Sequence, residues 1–334
     1  MRRPLPSIDQ FVQGIRNADR VLLGQAITLV ESTREDHQRL AREIVGRLLS
    51  EQQANSSKPL TLRIAITGAP GVGKSSFIEA LGMHLISLGR RPAVLAIDPS
   101  SAVSGGSILG DKTRMERLSA CEEAFIRPSP SGDSLGGVAR KTREAIVLVE
   151  AAGFDTVLIE TVGVGQSETA AHRMTDVFLL LLLPGAGDEL QGIKRGIGEM
   201  ADFLVVNKSD GERVKLANQA RGHYLNATHY LPPKPSAWTP QVLACSALEN
   251  TGIAELWEAI LAYQKTALAN GYLLENRRQQ SLYWLEDSLE TGIQALFYKL
   301  PGVKTKLAEV RAEVIAGRMS PTEAAAQVIG LLGS

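Results

Sequence analysis

The stretch that most constrains this 334-residue chain is Gly68-Ala69-Pro70-Gly71-Val72-Gly73-Lys74-Ser75, which has the form G-x-x-x-x-G-K-[ST]. An apolar run, Leu60 to Thr67, precedes it, and a segment of helical character, Ser75 to Ser87, follows. Strand, glycine-rich loop and helix in that order are the context a phosphate-binding loop requires. Glycines at 68, 71 and 73 let the backbone turn tightly and come close to an anion where a Cβ would obstruct it. Amide N–H groups then converge on phosphate oxygens, and the helix points its positive dipole end at the same charge. In this reading Lys74 binds the β- and γ-phosphates, and the Ser75 hydroxyl ligates Mg²⁺.

Beyond the loop, strand and helix patterns alternate. Strands are predicted at Leu60–Thr67, Pro92–Ile97, Ala124–Arg127, Thr156–Glu160, Val177–Leu183, Phe203–Val206 and Val242–Cys245. Helical stretches between them imply crossover connections, hence an α/β fold: a P-loop NTPase with a mainly parallel central sheet flanked by helices. Ligands of such sheets bind beyond the carboxyl ends of the strands, and Gly68, Asp98, Glu160 and Asn207 each close a different one. Residues 8–50 read as helices at three- and four-residue spacing, and Gln52 to Pro59 reads as a connector. After 270 the chain is again helical. The stripe Leu282, Leu285, Leu289, Ile293, Leu296 and Leu300 gives that segment one apolar face, which either packs on its own domain or forms a dimer arm. Ser320-Pro321-Thr322-Glu323 has the form of a helix start. The expected organisation is a helical N-terminal extension (1–55), a P-loop domain (56–268) and a helical C-terminal extension (269–334), a dimerisation arm on the second reading of the stripe.

Composition narrows the partners. Lys+Arg and Asp+Glu balance at 36 each, which argues against broad electrostatic attraction to nucleic acid or an anionic membrane. The longest apolar run, Val177 to Leu183, is too short to cross a bilayer and suits a central parallel strand. Cys121 and Cys245 lie far apart, are expected as small buried residues at strand positions, and point to a reducing compartment. No apolar segment follows Met1-Arg2-Arg3 to make a secretory signal, so the expected location is cytoplasmic. The five histidines show no ligand spacing with the cysteines.

Asn207-Lys208-Ser209-Asp210 follows a predicted strand and has the form N-K-x-D, the guanine-reading motif of G proteins. A carboxylate at Asp210 can accept from both N1–H and the 2-amino group of guanine. Adenine offers a lone pair at N1 and no 2-amino group, and a buried acceptor left unpaired costs about 1–3 kcal/mol. Ser246-Ala247-Leu248, just past the last strand, resembles the loop whose backbone meets the guanine carbonyl. GTP and GDP are therefore the expected ligands. Where G proteins carry D-x-x-G, this chain has Glu160-Thr161-Val162-Gly163, so Glu160 is the expected contact to Mg²⁺-bound water and the Gly163 amide the γ-phosphate sensor. Asp98 is a second candidate at the metal, or an N-cap before Pro99-Ser100.

The separation of Lys74 from Glu160 spans two further strand–helix units, longer than in Ras-like proteins, and resembles the signal-recognition and metallochaperone branch of P-loop GTPases. Longer strings narrow the likeness: Gly105 to Met115, Arg127 to Gly132, Leu135 to Val138, Glu160 to Glu168 and Pro184 to Lys194. With these the whole chain resembles the MeaB/ArgK family of GTPases. The resemblance implies a homodimeric GTPase chaperone for an adenosylcobalamin-dependent acyl-CoA mutase of the methylmalonyl-CoA mutase type. It would gate cofactor loading and protect the mutase. It also implies a phosphate loop over Gly68 to Ser76, a mobile loop at 104–115 and a partner-facing loop at 185–195.

Mg²⁺, Lys74 and the loop amides would carry hydrolysis by neutralising charge, with Asp98 and Glu160 alongside. Gln166, three residues past Gly163, is the candidate for orienting water, and slow hydrolysis accelerated by a partner is expected. Two rivals stand beside this reading: an ATP-dependent kinase linked to lysine/arginine/ornithine transport, and a nucleotide-controlled scaffold without turnover.

Overall fold

The computed structural model describes residues 5–54, 59–97, 115–128, 135–161, 167–185 and 195–332. Three helices come first: α1 (Ile8–Arg16), α2 (Arg20–Glu31) and α3 (Glu35–Ala54). Ser7 caps α1 reciprocally with Gln10, each side chain accepting from the other's backbone N–H. The helix α3 continues to Ala54, into the stretch expected to be a connector. Alternating elements follow: β1 (Leu62–Gly68), α4 (Lys74–Ser87), β2 (Pro92–Ile97), α5 (Glu116–Ser119), β3 (Phe125–Arg127), α6 (Leu135–Ala151), β4 (Thr156–Thr161) and α7 (Ser167–His172). Then come β5 (Val177–Leu182), α8 (Arg195–Met200), β6 (Phe203–Val206), α9 (Val214–Thr228), β7 (Gln241–Ala244) and α10 (Ile253–Ala269). The chain ends with α11 (Tyr272–Lys299), α12 (Val303–Ile315) and α13 (Pro321–Ile329).

The seven strands form one parallel sheet in the order β3-β2-β4-β1-β5-β6-β7. Helices cover both faces, which is why β5 reads Val-Phe-Leu-Leu-Leu-Leu with every residue buried. On one face Phe77, Ile78, Leu81 and Leu85 of α4 and Leu256, Trp257, Ile260 and Tyr263 of α10 meet Ile64, Ile66, Leu158, Leu179 and Phe203. On the other lies α6, and α1, α2 and α3 pack on its outer side. Arg20 of α2 donates to the carbonyls of Cys121, Glu122 and Ala124, and Arg127 pairs with Glu31, so α2 holds the short edge strand β3 at both ends. Cys121 is not at a strand position as expected. It sits in the turn ahead of this three-residue strand, partly exposed, with Sγ 3.8 Å from Met83 Sδ. Cys245 is buried one residue past β7, and burial pushes its thiol up to about 12.

Two compact units divide the chain, Met1–Arg278 and Gln279–Ser334. In the second, Val303, Val310, Ala324 and Val328 form a small core. Ser320 Oγ accepts from Glu323 N at 3.1 Å and Pro321 occupies the first helical position, the start its sequence pattern predicts. The Leu282-to-Leu300 stripe is 36–67% exposed. Its apolar face is therefore not the one this unit buries. No helix of the described residues is long and apolar enough to cross a membrane.

The amino ends of β1 and β5 are fixed by one buried ion pair. Arg277 Nε and Nη2 reach Asp176 Oδ1 and Oδ2 at 2.8 and 2.6 Å, and Nη2 also donates to the Thr61 carbonyl at 2.5 Å. The Asp176 side chain is 0% exposed, and its Oδ2 also accepts from Arg63 N. Removing the cation leaves a buried carboxylate without its ion-pair partner, so Arg277→Met is expected to cost about 3–5 kcal/mol in denaturant unfolding. The neighbouring exposed Arg278→Met is expected to stay within about 0.5 kcal/mol of the parent.

Candidate nucleotide site

The site is built where β1, β4, β6 and β7 end. Gly68, Gly71 and Gly73 take φ of +150°, +81° and +94°, where a side chain is strained. A Cβ at Gly68 would stand 2.6 Å from the Leu181 carbonyl oxygen, and one at Gly73 2.9 Å from Asn207 Nδ2. Val72 turns inward, 1% exposed, and anchors the loop, while Ala69 and Pro70 lie at the surface. Helix α4 opens at Lys74 with Gly73 as N-cap and no side-chain cap, so its first-turn amides face the concave side of the loop. Ser76 lies exposed in that turn. This cradle, closed to any side chain, fits a polyphosphate.

Two oxygen-bearing groups meet at its inner edge. Ser75 Oγ donates to Glu160 Oε1 at 3.2 Å, with Glu160 7% exposed at the end of β4. Hydroxyl and carboxylate are the oxygen donors a hard dication takes, and together they could hold Mg²⁺. Lys74 Nζ donates to the carbonyls of Gly68 and Ala69 at 2.8 and 3.4 Å. Burial lowers the pKa of its ammonium, with Glu160 and Glu168 opposing. Glu168, 3% exposed in the first turn of α7, belongs to no motif that marks it as a site residue in the sequence. Its position in the Glu160-to-Glu168 string is the one available signal. Asp98, Gly163 and Gln166 lie outside the described residues, as do the loops 104–115 and 185–195 except for Met115, Gly185 and Arg195.

The segment after β6 is wired to the phosphate loop. Asn207, 1% exposed, donates through Nδ2 to the Val72 carbonyl at 2.9 Å and accepts at Oδ1 from Ala247 N at 3.4 Å. Lys208 has φ +59°, and its Nζ donates to the Gly71 carbonyl at 2.7 Å. Ser246 Oγ donates to Asp210 Oδ2 at 2.6 Å and accepts from Glu249 N at 3.1 Å, which fixes the carboxylate. Ser246 and Thr251 exchange two backbone hydrogen bonds, closing the loop that carries Ala247 and the 86%-exposed Leu248. Gly252 is required at its exit, where a Cβ would lie 2.4 Å from the Ala244 carbonyl oxygen. The geometry thus brings all the described phosphate-loop and base-reading candidates to one rim.

The family model described as "Methylmalonyl Co-A mutase-associated GTPase MeaB" matches residues 23–299. The GTPase ArgK of Escherichia coli is 48% identical over 86% of this chain and 85% of its own. The mouse protein named methylmalonic aciduria type A homolog, mitochondrial, is 45% identical over 95% of this chain and 78% of its own. A solved structure of a protein named LAO/AO transport system kinase matches with a TM-score of 0.76 and 36% identity, covering 100% of both chains.

Two substitutions probe the halves of the site by titration with fluorescent nucleotides. Asp210→Ala removes the acceptor and is expected to weaken GDP binding by about 1–3 kcal/mol while leaving ADP binding unchanged. Gly73→Ala places a methyl against Asn207 and is expected to weaken both nucleotides together.

Proposed function

This chain belongs to the MeaB family of methylmalonyl-CoA mutase-associated GTPases, and on that premise we propose that its GTP hydrolysis serves an adenosylcobalamin-dependent acyl-CoA mutase of the methylmalonyl-CoA type. It is a P-loop GTPase. In the proposed role it acts as a chaperone that assists loading of the cobalamin cofactor and protects the mutase from inactivation. The observation that carries the guanine half is the fixed Asp210 carboxylate beside a loop wired to Gly71 and Val72. The mutase half is supported by the family match over most of the chain and by the mouse relative.

When bound, Mg²⁺ would supply charge neutralisation at the phosphates. Ser75 and Glu160 would hold it, with Asp98 as a further neighbour. Lys74 exchanges its bonds to the loop carbonyls for phosphate oxygens, and the amides of Gly68 to Ser76 cradle the chain of phosphates. Asn207, Lys208 and Asp210 read the base, with Ser246, Ala247 and Leu248 behind it. Orientation of the attacking water is left to Gln166 or to the partner, so hydrolysis by the isolated chain is slow. The chain acts as a homodimer in which the exposed Leu282-to-Leu300 face is covered by a second copy. An apolar stripe of that length in water is otherwise a liability.

A second reading, an ATP-dependent kinase tied to lysine/arginine/ornithine transport, has one observation in its favour: the solved structure that matches over the full chain is of a protein named as a transport system kinase. A kinase transfers the γ-phosphoryl group of ATP to an acceptor and releases ADP, so the two readings separate in one assay. Phosphate release is measured with GTP or ATP, with and without the B12-dependent mutase of the same organism. The chaperone reading expects turnover of GTP alone and acceleration by the mutase of about tenfold or more. Full-rate hydrolysis by the isolated chain, or ATP-dependent labelling of an acceptor, contradicts it.

A further inference from the structure

The backbone ladder between β1 and β4 runs from Leu62 opposite Thr156 to Ile66 opposite Glu160. The next two residues, Thr67 and Thr161, are joined through their side chains instead. Thr161 Oγ1 donates to Thr67 Oγ1 at 2.9 Å, and the two residues are 0% and 1% exposed. One residue further along β1 the phosphate loop begins at Gly68. Successive strand residues point to opposite faces, so Thr161 lies on the face away from Glu160, and Thr67 on the face away from Ile66. Where β1 and β4 reach the nucleotide rim, they are therefore tied from both sides. Ser75 and Glu160 join on one face, and the two threonines join on the other.

A hydroxyl pair is an unusual filling for this layer, whose neighbours Ala65, Val157 and Ile159 are fully buried and apolar. Two valines would have the same shape, and replacing both partners of a buried hydrogen bond in that way is nearly neutral for stability. What valines cannot supply is direction. A hydrogen bond weakens steeply with angle, so it holds two strand ends in one relative orientation.

We propose that Thr67 and Thr161 are a positioning pair for GTP hydrolysis. Their bond sets how the phosphate loop and the end of β4 diverge, and so holds Lys74 and Ser75 at the working separation from Glu160. Both side chains are buried, and the role assigned to them is positioning, not contact with the nucleotide. The proposal rests on reading Lys74, Ser75 and Glu160 as the phosphate- and metal-side residues.

The test uses the full chain and four variants: Thr161→Val, Thr67→Val, the double valine variant and Thr161→Ser. Single-turnover GTP hydrolysis, KM, GDP affinity and Tm are measured for each. Either single valine is expected to lower kcat about 10- to 100-fold, the scale of a small misplacement at a reacting centre. KM and GDP affinity are expected to stay within about twofold, the pattern of an interaction made only in the transition state. The serine variant keeps the hydroxyl and is expected to hydrolyse close to the parent rate. The double variant separates positioning from stability: its Tm returns toward the parent while its kcat stays as low as either single variant.

The proposal is overturned if the single valines hydrolyse at the parent rate, if kcat recovers with Tm in the double variant, or if serine loses as much as valine. Because the two threonines are probed independently, failure of one variant to fold leaves the other to decide. Glu160→Gln runs alongside. If it alone slows hydrolysis, the threonine pair is refuted and the site reading stands. A parent-like rate for it overturns the site reading itself.

Discussion

The site depends on two hydrogen bonds that cross from one end of the sequence motif set to the other. Asn207 holds the Val72 carbonyl and Lys208 holds the Gly71 carbonyl, so the segment proposed to read the base braces the loop proposed to cradle the phosphates. Gly73 makes this possible, since any side chain there would meet Asn207. Lys208 accepts a left-handed backbone, φ +59°, in order to reach back across the rim. Ser246 then ties Asp210 to the loop after β7. In the proposed reading base and phosphate recognition are one connected unit, so a ligand would engage both well or neither.

Around that unit the sheet supplies rigidity. Both faces of the central strands are covered, so their side chains are close-packed along the middle of the sheet. The N-terminal helices add a third layer outside α6, and α2 grips β3 through Arg20 and through the Arg127–Glu31 pair. The exposed apolar stripe from Leu282 to Leu300 lies apart from this frame in the sequence, within the C-terminal unit.

Much of the site could be read in the sequence because phosphate and guanine chemistry fixes residue types at fixed spacings. Gly68, Gly73, Lys74, Ser75, Asn207 and Asp210 match motifs that admit few residue types at each position, so pattern alone brought them forward as candidates. Strand positions were legible to within one or two residues: β1 begins at Leu62 and β7 at Gln241. The strand order was not legible, because alternation of strands and helices says nothing about which strand lies beside which. Relations between distant segments were equally hidden, among them the threonine pair and the electrostatic influence of Glu168 on Lys74. Cys121 was misplaced because a small apolar residue in a turn carries no periodic signal. The Leu282-to-Leu300 spacing announced an apolar face but not which surface meets it.

The central claim, that base reading and phosphate binding are one unit, is tested most directly with a ligand that has no base. Tripolyphosphate is titrated calorimetrically into the parent chain and into Asn207→Ala, a residue on the base-reading segment. The account predicts that the variant binds tripolyphosphate roughly tenfold more weakly, because the Val72 carbonyl and the loop it belongs to have lost their brace. Unchanged affinity for tripolyphosphate, with only guanine nucleotides weakened, would contradict it.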